Sequence, residues 1–397
     1  MKKIIYCIII SCFSCVLQAQ EYETGKVIDS LPVANSDKET FALYLPTSYQ
    51  SNKALPILFV FSPSGNGKNG VKAFVKSAEA YNYILIGSNN SRNGLVEQNL
   101  NIAERLINHT LSNFPILENR IYLAGFSGGA RLATAIASIS NQVEGVIACG
   151  AGFISMPSYM PSLPSFSYAG LCGNQDMNYQ EMLAVKSYLE RLNFQHTLFT
   201  FDGKHQWPPS EQLLMAFNWF EIEASKKGYI KKSEREIRAH YLNDLSSAKT
   251  IAKNNQPLIA SEHYNRILTT YSSFFELDTV RQTLQAIEKS KNYSNTLQAR
   301  KKAFEKENIL NTSFLNRFDK DLKNPKKTSL KWWDKEFEKM KKQAAKANGQ
   351  TIEMHERVRF KILATVYITL FNPENSNLSE PQRLFCDSLI ALLVSKE

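Results

Sequence analysis

Cysteine is scarce where it would count. Six occur in the 397 residues, but Cys7, Cys12 and Cys15 crowd the N-terminus and only Cys149, Cys172 and Cys386 follow. Three well-separated thiols do not make a disulfide framework. Cys149 and Cys172 lie in apolar runs with no basic neighbour to activate them, and they read as small buried hydrophobes. Histidine is thin as well: His109, His196, His205, His240, His263 and His355 are scattered without ligand spacing, so no metal is expected. Residues 62–70 are glycine-rich and include Lys68 but lack the Gly-Lys-Ser/Thr order of a phosphate loop, which argues against a nucleotide. No metal or organic cofactor is expected. Beyond the N-terminus no apolar run is long enough to cross a bilayer.

What is present is ordinary in amount and uneven in placement. Hydrophobic residues make up 43% and charged residues 21%, which excludes a disordered or collagen-like chain. The net charge of +10 is not spread evenly: residues 1–228 carry 17 basic and 17 acidic side chains, leaving 30 and 20 for 229–397. Two domains with different electrostatics follow from that split. Ahead of them, Met1, Lys2 and Lys3 precede an apolar run to Leu17 and then Gln18, Ala19 and Gln20, the layout of an export signal cleaved near residue 20. The expected division is therefore a signal peptide over 1–20, one domain over 21–228 and a second over 229–397, with the protein periplasmic or extracellular. Ile9-Ile10-Ser11-Cys12 also has the order of a lipobox, so anchoring at Cys12 is the alternative.

Between residues 41 and 223 short apolar runs alternate with helical stretches. Strands are expected at 41–45, 56–61, 83–88, 121–125, 145–149, 166–172 and 196–201, and helices at 71–81, 97–111, 128–140, 179–192 and 210–223. Continuous apolar strands alternating with helices predict an α/β domain, a mostly parallel sheet covered on both faces. Its binding crevice lies beyond the carboxyl ends of the strands. After residue 228 the pattern turns to helical spacing with few strand formers, predicting an all-α domain with helices at 234–253, 261–271, 278–290, 296–318, 330–347 and 352–371. Paired helices of this length are similar to tetratricopeptide repeats, although no fixed-period consensus recurs.

One segment carries chemistry. Residues 121–133 run from an apolar strand through Gly125-Phe126-Ser127-Gly128-Gly129 into a helix. A serine on a sharp strand-to-helix turn has its hydroxyl forced into the crevice, and flanking glycines remove the Cβ atoms that would clash. The helix that follows points its positive end at the site. This segment resembles the nucleophile elbow of the α/β-hydrolase superfamily. In that superfamily an acid and then a histidine follow the serine, each on a loop leaving a strand. Asp176, in Gly173-Asn174-Gln175-Asp176, and His205, in Gly203-Lys204-His205-Gln206-Trp207, meet that order. The resemblance implies a Ser127–His205–Asp176 triad; Asp202 is the rival acid but lies only three residues before His205. It also implies two oxyanion donors: the Gly128 N–H, and a second from the loop after the 56–61 strand. That loop reads Ser62-Pro63-Ser64-Gly65-Asn66-Gly67 and lacks the superfamily's frequent His-Gly. Pro63 cannot donate, which leaves Ser64 first and Ser62 second.

The segment Gly87-Ser88-Asn89-Asn90-Ser91-Arg92-Asn93-Gly94 is similar to loops in secreted esterases related to polyhydroxybutyrate depolymerases and dienelactone hydrolases. There Arg92 is the expected substrate contact, and Trp207 either walls the pocket or packs beneath its loop. The resemblance covers roughly residues 20–225 and implies an exported serine hydrolase acting on small or oligomeric carboxylic esters. A serine peptidase of the same fold is the near alternative. An inert hydrolase domain serving as an adaptor through its helical half is the distant one. Basic runs such as Arg300-Lys301-Lys302 and Lys339-Met340-Lys341-Lys342 suit a solvated helix face or an envelope or protein partner; export excludes nucleic acid as the partner. Trp332-Trp333 reads as one buried ring covered by its neighbour.

Overall fold

The computed structural model describes residues 22–325, 327–347, 349–371 and 377–395. The expected signal peptide and Cys12 lie outside the described residues. Eight strands form one sheet in the order β1-β2-β4-β3-β5-β6-β7-β8. They span Val27–Pro32, Thr40–Tyr44, Leu55–Phe61, Ile84–Ser88, Ile116–Phe126, Gly145–Cys149, Ser167–Gly173 and His196–Phe201. β1 and β2 join antiparallel, and β2 lies antiparallel to β4; the pairings β3–β4, β3–β5, β5–β6, β6–β7 and β7–β8 are parallel. Five helices belong with the sheet: α1 Gly67–Tyr81, α2 Val96–Asn113, α3 Gly128–Ile139, α4 Tyr179–Arg191 and α5 Ser210–Lys226.

The central strands are apolar throughout because both faces are covered. In β3 every residue is buried, with Ile57, Phe59 and Phe61 in the core on one side and Leu58 and Val60 in the core on the other. This is the period-two consequence of a sheet sandwiched between helix layers. β1 escaped prediction because it is an edge strand. Asp29 and Ser30 interrupt its apolar residues, and its register slips between Ile28 and Leu31, a bulge at which Ser30 takes a positive φ of 59°.

Among the described residues seven helices follow: α6 Glu234–Lys253, α7 Pro257–Tyr271, α8 Asp278–Lys289, α9 Lys291–Lys323, α10 Lys327–Ala344, α11 Gly349–Phe371 and α12 Glu380–Ser395. α6 opens with a capping box between Ser233 and Glu236. α12 was not predicted; Pro381 lies inside its first turn, where a missing N–H costs nothing. Two apolar clusters hold this region. One joins α9 to α12 around Trp333, Phe337 and Val358, and the other joins α6 to α8 around Tyr264, Ile267 and Tyr271. Trp333 is fully buried with its indole N–H on Asp321 Oδ2 at 3.0 Å, and Trp332 meets it edge-on at 5.1 Å.

The helical region is fastened to the sheet. Ile222 of α5 belongs to the α6–α8 core. Arg266 of α7 lies over the Phe199 ring of edge strand β8 at 4.1 Å, and Thr200 of β8 donates to Glu262. Among the described residues no helix is long and apolar enough to cross a membrane, and no His/Cys/Asp/Glu cluster suits a metal.

Candidate active site

Ser127 lies between β5 and α3 with φ 53° and ψ −118°, a region that non-glycine residues avoid. The turn fits only because its neighbours are small. A Cβ on Gly125 would lie 2.2 Å from the Gly129 carbonyl, and one on Gly129 would lie 2.1 Å from the Phe61 oxygen. Strand, elbow and the end of β3 therefore touch backbone to backbone. The Ser127 N–H is held by the Cys149 carbonyl at 2.8 Å, tying the elbow to β6.

Asp176 and His205 lie on the loops leaving β7 and β8, and the parallel order β5-β6-β7-β8 delivers them to the same edge as Ser127. His205 Nε2 is 3.0 Å from Ser127 Oγ, and His205 Nδ1 is 2.8 Å from Asp176 Oδ2. The Asp176 side chain is 1% exposed and that of His205 7%. Asp176 Oδ1 accepts the Asn178 N–H at 2.8 Å, so both carboxylate oxygens are engaged. The rival Asp202 is turned outward and accepts from Gln175 at 2.9 Å. With Nδ1 donating to the carboxylate, Nε2 is left to accept the serine proton.

The loop after β3 runs beside the elbow. Ser62 is buried, and its backbone N would lie 3.2 Å from a Cβ on Gly129. Ser64 sits one step further out, exposed, with its hydroxyl 3.1 Å from that of Ser62 and a backbone bridge to Arg92. Of the two, Ser62 is the one whose backbone lies against the elbow. Gly128 begins α3, where a helix N–H lacks an intrahelical acceptor.

Arg92 is exposed and turns back on its own loop: its Nε approaches the Asn90 carbonyl at 3.5 Å, and its N–H donates to Asn99 Oδ1 at 2.9 Å. The neighbouring Asn93, which sequence reasoning passed over, is the residue that reaches the elbow. Its Oδ1 would lie 1.8 Å from a Cβ on Gly128, and its N–H is fixed by the Pro63 carbonyl at 2.8 Å. Trp207 is half-buried, with its ring 5.3 Å from Phe126 and 5.8 Å from Phe74. It packs beneath the histidine loop.

A second group that sequence reasoning missed comes from α11. The Phe360 ring centroid lies 5.2 Å from that of His205, and Phe126 contributes a further ring at 4.6 Å. Arg357 Nη1 donates to the Asn174 carbonyl at 2.6 Å, Asn174 Nδ2 donates to Glu353 at 3.0 Å, and Lys204 pairs with Glu356 at 3.6 Å. The acid loop and the base loop thus both rest on one helix of the C-terminal region. Among the described residues, Cys149, Cys172 and Cys386 are buried and unpaired, and burial pushes the Cys149 and Cys172 thiols up, away from the thiolate a nucleophile needs.

The phospholipase/carboxylesterase family profile matches residues 83–217, a span that includes Ser127, Asp176 and His205. No curated protein matches the chain. Among solved structures it is similar to S-formylglutathione hydrolase from Staphylococcus aureus, with 13% identity, a TM-score of 0.41, and coverage of 49% of this chain and 95% of that one. Thermogutta terrifontis esterase 2, phosphorylated by paraoxon, shows 11% identity and a TM-score of 0.42 over 53% of this chain and 98% of its own. Est1E from Butyrivibrio proteoclasticus shows 12% and 0.38 over 50% and 98%. With its eight-stranded sheet, its strained serine between β5 and α3 and the family match over 83–217, the N-terminal part of this chain has the α/β-hydrolase fold and is followed by a helical region.

Proposed function

We propose that the protein is an exported serine hydrolase that cleaves carboxylic esters through an acyl-enzyme. The observation that carries this reading is the hydrogen-bonded chain Ser127 Oγ–His205–Asp176, with separations of 3.0 and 2.8 Å, in which the serine occupies a strained elbow. His205 takes the serine proton as Oγ attacks the ester carbonyl, then delivers it to the departing alcohol. Asp176 fixes the imidazole tautomer and offsets the charge of the imidazolium. The negative oxygen of the tetrahedral intermediate faces the N-terminus of α3, where the Gly128 N–H and a second N–H from the 62–64 turn serve as donors. Losing one such donor costs about 3 kcal/mol of transition-state stabilisation. Water then enters, and the same histidine activates it to release the acid.

Export rests on the charged, apolar and small-residue succession of the first twenty residues. Incubation with a fluorophosphonate probe and with matched panels of short-chain esters and peptides tests the whole reading. Labelling that Ser127→Ala abolishes, together with turnover of esters over amides, is expected. Preference for peptides points to a peptidase on the same machinery, and an inert Ser127 at neutral pH points to the adaptor.

A further inference from the structure

A cleft of about 400 Å³ lies between the acid loop of the hydrolase fold and helices α7, α9 and α11. None of Ser127, Asp176 and His205 lines it. Its polar lining is unusual: Asn174, Asn255, Asn292, Asn295 and Gln350 present carboxamides beside the single carboxylate of Glu353. Among the described residues lining it, none is cationic. Tyr179, Leu258 and Ile259 supply an apolar side.

Part of this hydrogen-bonding capacity is used within the protein and part is not. Glu353 accepts from Asn174 and from Gln350, each at 3.0 Å, and Asn292 donates to Asn255 Oδ1 at 2.8 Å. That pairing leaves the Asn255 amino group and the Asn292 carbonyl to another partner. Gln350 Oε1 is buried with no partner in the protein, and a buried acceptor left unmade is costly.

We propose that this cleft binds a neutral saccharide of one or two rings. Carboxamides donate and accept in adjacent positions, which suits vicinal hydroxyl groups, and the apolar side suits the C–H face of a sugar ring. No cationic side chain is among the described residues lining the cleft, which disfavours phosphates, nucleotides and uronic acids, and Glu353 adds to this where it is ionised. The site differs from the ester pocket, yet it touches the catalytic loops. Asn174, at its inner wall, accepts the Gly203 N–H at 3.2 Å and stands two residues before Asp176, as Gly203 stands two before His205.

Calorimetric titration of the full mature chain with D-glucose, D-xylose, cellobiose and D-glucuronate tests this. Saturable binding of a neutral sugar is expected, with glucuronate weaker by roughly tenfold or more. Asn295→Ala, at an exposed position that leaves the core intact, and Gln350→Ala are each expected to weaken it by roughly three- to tenfold. Protein pre-labelled on Ser127 with the fluorophosphonate is expected to bind the sugar as the unlabelled chain does. Absence of heat with every neutral sugar, binding indifferent to both substitutions, preference for the uronate, or loss of binding on labelling each overturns the proposal. Titration of the unlabelled chain needs no turnover, so failure of the esterase reading leaves this test intact.

Discussion

At the scale of single residues, the elbow makes two sharply different demands on glycine. Gly129→Ala drives a methyl group into the Phe61 carbonyl, which is backbone and cannot swing away. Gly128→Ala drives it into the Asn93 carboxamide, the end of an exposed side chain that can. Gly129→Ala is therefore expected to abolish soluble folded protein or all turnover. Gly128→Ala is expected to keep its thermal unfolding profile while losing roughly tenfold in kcat, through displacement of Asn93 from the oxyanion side. Asn93→Ala is expected to lose a similar factor, and the double variant little more, because both changes remove one and the same contact. Additive losses in that cycle would mean that Gly128→Ala acts otherwise than by displacing Asn93, and an unchanged kcat in Asn93→Ala would dismiss a role for Asn93. Asp176→Asn, which disturbs the imidazole tautomer, is expected to lower kcat by about 10⁴ with binding little changed. The residue types and their order were legible from sequence because a serine on a glycine turn, an acid and a histidine each follow a strand. Asn93 was not, since nothing local says that the loop after β4 folds over the loop after β5. The charge of Arg92 stands out in the sequence, whereas its place in the structure, turned back on the Asn90 carbonyl, does not show there.

At the scale of elements, the strands and most helices were readable from apolar period, and their docking was not. Helix α11 shows why. Its spacing announces a helix, but its partners Asn174, Lys204 and His205 lie some 150 or more residues away in sequence, and no periodicity encodes such a pairing. Once docked, α11 holds the loops that carry Asp176 and His205: Arg357 and Glu353 grip Asn174, and Phe360 rests on the imidazole. Removing the Phe360 ring leaves His205 a wider range of orientations. A misplacement near 1 Å at a reacting group can cost about a hundredfold in rate. Phe360→Ala is expected to lower kcat by ten- to a hundredfold and leave sugar affinity in the separate cleft unaltered, while Phe360→Leu recovers most of the loss. Equal losses from Ala and Leu, or a KM effect without one on kcat, would assign Phe360 to substrate contact instead of positioning.

For the whole molecule, composition announced two parts, but the parts share packing. A chain ending at residue 228 would strip Glu262 and Arg266 from edge strand β8 and expose Ile222, so it is expected to aggregate, as bare apolar edges do. Size-exclusion chromatography of that fragment decides the point. The same junction sets how stability follows pH. Burial raises Glu353 from 4.5 to about 7 and outweighs the opposing Arg357, while Asp202 adds to the rise and Arg300 opposes it. Between those two values the folded chain holds a proton that the unfolded chain has released, so stability falls as pH rises from about 4.5 to about 7. His355 works in the other direction. Burial without a hydrogen-bond partner, reinforced by Lys306 against the weaker pull of Glu356, lowers it from 6.5 to about 4. The unfolded chain then takes up the proton first, and stability falls as pH drops from 6.5 towards 4. Glu353→Gln is therefore expected to gain thermal stability on the parent chain as pH rises through 6 and 7, and His355→Phe to gain on it as pH falls through 6 and 5. Melting temperatures of the three proteins across pH 4.5 to 8 would separate the two limbs. Parallel curves would mean that these groups titrate alike folded and unfolded.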